Sequence, residues 1–244
     1  MKKYNYDENF FENIDSEEKA YFLGLMYADG CITKTQSRIC KNIQYKVNLG
    51  MLDIDLLELF KTCLKGNYII KNRVLKNSKI FYTTSLTSKK MVEDLERLGC
   101  IERKSLVLKF PDLPSELVSD FIRGYFDGDG SIFSSIQKVK RGNAIFTYIR
   151  PIVHICGTKE FLNSLITILN LPTTCIKKEK RRITNCWYIR FDSFSRVQMF
   201  YDFLYHNKKF FLNRKKQKFN EIFKQRGSET IMGTPIRGKY RKMV

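Results

Sequence analysis

Two ten-residue stretches decide the fold of this chain: YFLGLMYADG at residues 21–30 and FIRGYFDGDG at residues 121–130. Aligned with each other, both begin with an aromatic residue, carry Gly at the fourth position and end in a small residue, Asp and Gly. The two copies are offset by 100 residues. A repeat at one fixed spacing predicts a single structural unit that the chain uses twice.

Each stretch is predicted to be a helix that ends at its Asp-Gly pair. Asp15 followed by Glu18 fits a capping box that opens the first helix, and Ser115 is predicted to cap the second. Both helices carry small residues four positions apart, which leaves room for another backbone to approach closely. These lobe-interface residues are Gly24, Ala28, Gly124 and Gly128. We therefore expect the two helices to pack on each other about a pseudo-twofold axis.

This packing would bring Asp29 and Asp129 together at the ends of adjacent helices. A carboxylate is poorly placed there for stability, because the helix dipole makes that end negative and the last carbonyl groups are unpaired. Carboxylates and backbone carbonyls form a hard-oxygen site of the kind that holds Mg²⁺ with water and substrate phosphate. Two such sites side by side would suit metal-assisted attack of water on two phosphodiester bonds. One Asp-Gly pair after a helix is most often only a turn, whereas two matching copies favour the catalytic interpretation.

The overall composition is that of a folded and strongly basic protein. The chain has 244 residues, 43% hydrophobic and 14% aromatic, which suits one large domain or two small ones and excludes a disordered chain. Its net charge of +19 points to a polyanionic partner. No apolar run approaches the roughly 18 residues of a membrane-spanning helix, and the first residues lack the apolar core of a signal peptide. We therefore expect an intracellular soluble protein with no membrane partner.

Cysteine and histidine usage argues against a zinc site. The seven cysteines never form C-x-x-C, and the chain has only two histidines, His154 and His206. We interpret the cysteines as reduced, mostly buried thiols. The shortage of histidine also disfavours nuclease chemistry that depends on a His-rich metal site.

Strand and helix patterns extend the repeat along the rest of the chain. Period-two alternation predicts strands at 45–51, 79–87, 146–155 and 186–191. Helical periodicity predicts helices at 53–65, 88–99, 158–170 and 193–205, with N-caps at Asp53, Ser88, Thr158 and Ser193. The order is helix, two strands, helix, two strands, helix, and then the same again. The predicted boundaries are a first lobe at 1–105, a linker at 106–115, a second lobe at 116–224 and a basic tail at 225–244.

At this point a family resemblance follows from the motif residues. Phe22 to Gly30 and Ile122 to Gly130 resemble the two motifs of a LAGLIDADG homing endonuclease of the single-chain type. The match is specific at Gly24, Leu25, Ala28, Asp29, Gly30, Gly124, Asp127, Gly128, Asp129 and Gly130. The departures are Leu23, Met26, Tyr27, Arg123, Tyr125 and Phe126. None of them is a metal-binding acid, although Arg123 replaces a small residue in the helix interface.

The resemblance implies both a fold and a set of site residues. The fold class is α+β, with two pseudo-symmetric αββαββα lobes, the motif helices at their interface and two antiparallel sheets that form a DNA-binding saddle. The metal ligands would be Asp29 and Asp129 with the carbonyls of Ala28 and Gly128, which would share two or three divalent ions, Mg²⁺ by expectation.

The family also places a Lys after the last helix of each lobe, near the active site. Here Lys104 and Lys215 each follow an aliphatic residue, a polar residue and Arg, and Lys216 is an alternative register for the second. Each is a candidate catalytic residue that would stabilise charge on the phosphorane or position water, although a solvated surface lysine is the alternative. At the end of the second strand of each lobe, where the family often has a polar residue that organises water, this chain has Met51 and Gly157.

For DNA reading we select polar residues opposite the apolar face of each strand. In the first lobe these are Gln44, Lys46, Asn48, Lys71, Arg73, Thr83 and Ser85. In the second lobe they are Tyr148, Arg150, His154, Lys178, Lys180, Tyr188 and Arg190. For any one of them, a solvated strand residue without DNA contact is about as good an explanation as a DNA-contacting residue. Because the lobes differ at nearly every such position, the target site would be non-palindromic.

The segment from 208 to 244 has 12 basic and two acidic residues and is predicted to begin as a helix containing Phe219 and Phe223 and to end as an arm on phosphate. The leading hypothesis is a monomeric, site-specific, Mg²⁺-dependent double-strand DNA endonuclease of intron-homing type. It would act in a bacterial or phage-infected cytoplasm or in an organelle. The alternative is an RNA-binding intron maturase or a non-cleaving DNA-binding regulator on the same scaffold. An excised intein domain lacks support, since no Cys or Ser begins the chain and no His-Asn pair ends it.

Overall fold

The computed structural model describes residues 4–36, 42–142, 144–179 and 186–225. The first lobe contains α1 (Glu17–Ala28), β1 (Gly30–Gln36), β2 (Ile43–Met51), α2 (Ile54–Cys63), β3 (Lys71–Val74), β4 (Ile80–Thr87) and α3 (Lys89–Arg97). The second contains α4 (Val118–Asp129), β5 (Gly130–Arg141), β6 (Ala144–Gly157), α5 (Lys159–Ile168), β7 (Ile176–Lys178), β8 (Trp187–Phe191), α6 (Phe194–Tyr205) and α7 (Asn213–Gln225). Short 3-10 helices lie at Lys104–Leu106, Ser115–Leu117 and Thr173–Cys175.

The two lobes have the same topology. Each sheet has four antiparallel strands, in the order β1-β2-β4-β3 in the first lobe and β5-β6-β8-β7 in the second. The predicted α+β fold with a repeated αββαββα unit is confirmed, and α7 follows as an extra helix. That helix contains Phe219 and Phe223, as predicted.

Helix starts agree with the predicted caps at three positions. Ser88, Thr158 and Ser193 each accept a hydrogen bond from the backbone N–H three residues on, which satisfies a donor that the first turn leaves unpaired. Asp53 occupies the N-cap position of α2, but its side chain does not cap the helix.

The predicted starts of the two motif helices were wrong in detail. The N-cap of α1 is Ser16, its side chain makes no capping bond, and Asp15 forms an ion pair with Lys19 at 2.8 Å instead of a capping box. Ser115 begins a separate 3-10 turn, so Leu117 is the N-cap of α4. Neither motif helix therefore begins with a side-chain cap.

The motif helices α1 and α4 pack against each other through their glycines. A Cβ atom at Gly24 would lie 2.7 Å from the Tyr125 backbone nitrogen, and one at Gly124 would lie 2.8 Å from the Tyr21 carbonyl carbon. Both distances are too short for real atoms, so only glycine permits this approach. Further along, a Cβ at Gly128 would collide with the methyl group of Ala28. The four predicted small residues therefore meet at the junction of the two lobes.

Each sheet buries one face under its helices and leaves the other uncovered. In the first lobe Val47, Leu49 and Leu86 point into the core, and in the second Val153, Ile155 and Ile189 do so. Their neighbours along the strands point the opposite way, because successive side chains alternate across a sheet. Within the described residues, no helix combines the length and the apolar character needed to cross a membrane.

Candidate active site and nucleic-acid interface

Asp29 and Asp129 stand where the motif helices end and the first strand of each lobe begins. Asp29 is the C-cap of α1, and its N–H donates to the Leu25 carbonyl at 2.9 Å; Asp129 is the last residue of α4. The Asp29 Oδ2 atom lies 3.0 Å from the point where a Cβ of Gly128 would be. The carboxylate of one motif therefore reaches the end of the other motif helix, as the repeat predicted.

The electrostatics of the two carboxylates are coupled. Burial and the nearby Asp129 charge raise the pKa of Asp29 from 3.8 to about 6. Burial also raises the pKa of Asp129, against the opposing effect of Lys104 and Lys215. Both side chains are open to solvent on one side, but the helix ends packed around the other side exclude water. The pair therefore lies where burial disfavours the charged form of each carboxylate.

Two buried lysines lie beneath these acids. Lys104 begins the 3-10 helix after α3, and its ammonium donates to the carbonyl of Gly30, the residue after Asp29. Lys215 lies in the first turn of α7 and donates to the carbonyls of Asp127 at 2.7 Å and Gly130 at 2.6 Å, and to those of Phe126 and Gly128. Burial lowers the pKa of Lys215 to about 8. Lys215 satisfies carbonyl groups that the end of α4 leaves unpaired, and Lys104 binds the first carbonyl of β1.

The choice between Lys215 and Lys216 is decided by which way each side chain points. Lys216 stacks on the ring of Phe211, with its Nζ 3.9 Å from the ring centroid. Only Lys215 of the two turns inward to the end of α4. Of the two registers that the sequence left open, the inward one is therefore at Lys215.

Each acid borders a cleft. A cavity of about 230 Å³ lies beside Asp129, and a second of about 200 Å³ lies beside Asp29. The strand-end residue Gly157 lines the first and Met51 lines the second, as their positions at the ends of β6 and β2 predict. Cys156 also lines the cleft of Asp129, and its Sγ lies 3.8 Å from Nδ1 of His154.

Two charged residues of the second motif have roles that the sequence did not reveal. Arg123 is fully buried and binds Glu17 of the first lobe at 2.9 Å and Asp120 at 2.8 Å. Asp127 accepts hydrogen bonds from the Tyr21 hydroxyl at 2.8 Å and from the Leu212 N–H at 2.7 Å. The only sequence signal was that both are charged residues within an apolar motif helix. They join the two lobes to each other and to the C-terminal segment.

The selected first-lobe residues share one face of their sheet. Register places Asn48 opposite Ser85 and Thr83 opposite Lys71, and residues that pair across strands point to the same side. This outward face, opposite the buried Val47 and Leu49, carries all seven residues selected from the sequence. They are Gln44, Lys46, Asn48, Lys71, Arg73, Thr83 and Ser85.

The second lobe follows the same rule with one change. Tyr148, Arg150 and His154 share a face of β6, and His154 pairs with Arg190 on β8. Tyr188 joins them, with its ring centroid 4.7 Å from that of His154.

Lys178 pairs with Trp187 and lies on the opposite face, so its selection was wrong. Lys177 pairs with Tyr188 and is therefore the lysine of β7 on the outward face. The inward Ile176 next to it in the sequence could have indicated this, because neighbouring side chains alternate between the two faces. Lys180 and the tail beyond residue 225 lie outside the described residues.

The acids at the lobe junction have few other ligand side chains near them. Within 4–36, 42–142, 144–179 and 186–225, no group of three or more His, Cys, Asp or Glu side chains is arranged to hold a metal ion. A cation at Asp29 and Asp129 would therefore complete its shell with carbonyl oxygens, water and substrate, which is the usual pattern for Mg²⁺.

Sequence comparison finds only partial relatives. No family model matches the chain. It is 30% identical over 156 residues to the probable translation initiation factor IF-2 of Methanocaldococcus jannaschii, a match covering 61% of this chain and 11% of that protein. It is 25% identical over 151 residues to the uncharacterized protein MJ0314 of the same organism, covering 58% of this chain and 52% of that one. The chain thus matches about a tenth of the first relative and about half of the second.

Comparison with solved structures matches most of both chains. The I-LtrWI LAGLIDADG homing endonuclease bound to target DNA superposes with a TM-score of 0.62 at 13% identity, over 91% of this chain and 92% of that one. The meganuclease I-AabMI, bound to uncleaved DNA, gives 0.59 at 12% identity over 85% and 90%. I-SmaMI, bound to an uncleaved DNA target with calcium ions present, gives 0.55 at 15% identity over 84% and 89%. The chain has the two-lobed fold of the single-chain LAGLIDADG homing endonucleases.

Proposed function

We propose that this protein is a site-specific, Mg²⁺-dependent double-strand DNA endonuclease that hydrolyses one phosphodiester bond on each strand of a long asymmetric site. The observation that carries the proposal is the meeting of Asp29 and Asp129 at the ends of two packed helices, each continuing into a sheet with a polar, basic outward face. Such a pair of acids has no structural benefit of its own, because helix ends and like charges both oppose it.

The donor groups at the lobe junction fit divalent cations. The raised pKa values of Asp29 and Asp129 reflect burial, to which mutual repulsion adds at Asp29, and a bound cation would offset both effects. The Ala28 and Gly128 carbonyls adjoin the two carboxylates in the chain and would complete the protein's share of the ligands. When bound, Mg²⁺ would polarise the phosphodiester and lower the pKa of the attacking water. Calcium accompanies the DNA complex of I-SmaMI, which has the same fold.

The chain's own residues would organise the reacting groups. Lys104 and Lys215 bind backbone carbonyls beside the acids, at Gly30 and at the end of α4. Their charges oppose the rise in the pKa of Asp129 and would favour its ionised form. Their positive charge would also oppose the charge that develops on the phosphorane.

The outward faces of the two sheets would hold the DNA. Their lysines and arginines would neutralise phosphates, and side chains such as Gln44, Asn48 and Arg150 would contact base edges. Counted from Gly30 and Gly130, Asn48 in the first lobe corresponds to His154 in the second, and Lys46 to Ile152. The two halves would therefore read different sequences, and one chain would suffice as a monomer. If the protein acts as the LAGLIDADG homing endonucleases do, cutting would leave short 3′ overhangs. It would also promote mobility of the intervening sequence that encodes the protein.

The retained acids favour a nuclease over a binding protein. A maturase or regulator on this scaffold would need the basic faces but not two carboxylates that repel each other. Because that repulsion would have no use in binding alone, the nuclease is the better explanation. The two activities can also coexist in one chain.

The test is cleavage of a randomised duplex library with Mg²⁺, followed by sequencing of the new ends. Asp129→Asn serves as the inactive variant, and Asp55→Asn, an exposed acid on α2, serves as the matched control. We expect enriched asymmetric sites with uniform 3′ overhangs for the wild type and for Asp55→Asn, and none for Asp129→Asn. Specific binding by Asp29→Asn or Asp129→Asn should stay within about tenfold of the wild type, since phosphate and base contacts carry the affinity.

Two results would contradict the proposal. An Asp29→Asn or Asp129→Asn variant that still cuts both strands at the wild-type rate would remove the acids from the chemistry. A wild-type protein that binds a defined duplex or structured RNA without cutting would support the binding or maturase alternative.

A further inference from the structure

The two clefts beside the acids differ in charge. Besides Asp29 itself, three charged residues line the first cleft: Asp53, Asp127 and Arg214. Asp127 is already bound to the Tyr21 hydroxyl and the Leu212 N–H, which leaves Asp53 and Arg214 as the pair that distinguishes this cleft. Among the described residues that line the cleft beside Asp129, the only charged side chain is that acid itself; the others include Ser105, Tyr125 and Cys156. The two lobes have the same topology, but their clefts would present different charged groups to the two DNA strands.

Asp53 and Arg214 form an ion pair in the first cleft that joins the two lobes. Arg214 of α7 donates from Nε to both carboxylate oxygens of Asp53, at 2.8 and 3.0 Å, and from Nη2 to Oδ2 at 2.9 Å. This two-pronged contact fixes the plane of the guanidinium group. The Arg214 side chain keeps more than half of its surface exposed, and its charge acts on Asp29.

The Asp53 carboxylate binds Arg214 and does not cap its own helix. It is the N-cap residue of α2, yet its carboxylate caps nothing in that helix. Thr158, at the corresponding N-cap of α5 in the second lobe, does cap its own helix through the Phe161 N–H. An Asp side chain at the N-cap normally stabilises its helix, so binding Arg214 instead costs local stability. Such a cost suggests that the position of Arg214 matters for the site.

The counterpart of Arg214 does not serve the other cleft. Arg103 precedes Lys104 just as Arg214 precedes Lys215, but its backbone is left-handed, with φ of 55°. It is exposed and is not among the described residues that line the cleft of Asp129. The asymmetry is therefore specific to Arg214 and Asp53.

We propose that Arg214 contacts the phosphodiester cut on the Asp29 side and that Asp53 positions it, so that the protein cuts the Asp29-side strand before the other. This inference rests on the proposed endonuclease function. In the step, a water oxygen forms a bond to phosphorus and the bond from phosphorus to the leaving sugar oxygen breaks. The water gives up one proton, and the leaving oxygen takes up one proton in its place. The phosphorane that forms between these two events carries extra negative charge. The N–H groups of Arg214 that do not bind Asp53 stabilise this charge on the Asp29-side DNA strand only.

The experiment measures the two nicks separately. A duplex containing the target found in the library is labelled with a different fluorophore on each strand, and single-turnover rates are recorded with Mg²⁺. We expect the wild type to cut one strand about ten- to a hundredfold faster, at or below the roughly hundredfold effect of one enclosed transition-state donor because Arg214 is more than half exposed. Arg214→Ala should slow that same strand by about ten- to a hundredfold and leave the other nearly unchanged. Asp29→Asn and Asp129→Asn, compared strand by strand, identify which strand faces which acid.

Further variants separate positioning from folding. Asp53→Asn keeps the volume but releases Arg214, so it should slow the same strand by a smaller factor. Arg214→Lys, which keeps the charge but loses the two-pronged contact, should recover part of the rate. Arg103→Ala is the matched control and should change neither strand. A variant that merely folds poorly would slow both strands together, and thermal melting of each variant checks this.

The outcomes are distinguishable. Equal rates for both strands in the wild type, or equal slowing of both strands by Arg214→Ala and Asp53→Asn, would overturn the role of Arg214 and leave the nuclease standing. Absence of any cutting by the wild type would overturn the endonuclease function and this inference with it. Slowing of the strand that the wild type cuts second would also contradict the proposal.

Discussion

The substitution Gly124→Ala tests whether the close approach of the motif helices holds the lobes together. An added Cβ would fall on the carbonyl oxygen of Tyr21, 2.8 Å from its carbonyl carbon and 3.0 Å from the nitrogen of Leu25. Carbon atoms pack at about 3.5–4.0 Å, so moving the Cβ clear of the Tyr21 carbonyl carbon alone requires the helices to separate by roughly 0.7–1.2 Å. The atoms in the way belong to backbone and cannot swing aside as a flexible side chain would.

The expected magnitude follows from two opposing effects. Overpacking a tight interface costs about 1–3 kcal/mol, and the fixed backbone places this site near the upper end. Replacing Gly by Ala within a helix contributes about 1 kcal/mol of stability. We therefore expect a net loss of about 2 kcal/mol, which shifts a urea midpoint by about 1 M.

The assay is urea unfolding followed by circular dichroism and by the fluorescence of the single tryptophan, Trp187. Ser119→Ala, on the same helix but beside Phe203 and Ile168 instead of α1, is the control and should change stability by less than about 0.5 kcal/mol. Wider spacing of Asp29 and Asp129 should also slow cutting by Gly124→Ala. A gain in stability of about 1 kcal/mol would mean that helix propensity alone acts here, and the tight helix contact would be refuted.

Three further predictions concern buried charge at the lobe junction. Arg123→Met should lower the free energy of unfolding by about 3 kcal/mol, because it leaves Asp120 buried with one cation fewer; urea unfolding that shows no loss would contradict this. The pKa of Asp29 is raised above its unfolded value, so this carboxyl stabilises the folded protein at low pH and the contribution is lost as pH rises from 3.8 to about 6. In EDTA, melting temperature should therefore fall across this range more in the wild type than in Asp29→Asn, and Mg²⁺ should raise it mainly above pH 6; identical pH profiles would count against the assignment. Lys215→Met should lower the free energy of unfolding by about 2 kcal/mol and slow cutting, because the carbonyls at the end of α4 lose their donor. Lys216→Ala, which removes only the outward stacking on Phe211, should lower it by less than about 1 kcal/mol. Equal losses of unfolding free energy in the two variants would show that the buried contacts of Lys215 contribute nothing.

Much of the fold was predictable because it depends on local periodicity repeated twice. Alternation along β2, β4, β6 and β8 indicated which side chains face outward, and the register of the sheets agrees for all selected residues but Lys178 among those described. That error arose on a three-residue strand, where alternation is too short to determine the face and only pairing with Tyr188 decides it. The capping box at Asp15 failed for a related reason, since one favourable spacing carries little weight against tertiary packing of α1.

What the sequence determined by itself is the repeat, the two motif helices with their small residues, and the pairing of Asp29 with Asp129. These follow from composition and spacing within short stretches, which local physical chemistry controls. The tertiary structure alone decided between Lys215 and Lys216, since Lys215 turns inward on four carbonyls, and it alone revealed Arg214 bound to Asp53 from 161 residues away. Such contacts form only when distant helix ends meet, and no local pattern of residues records where a long side chain finds its partner.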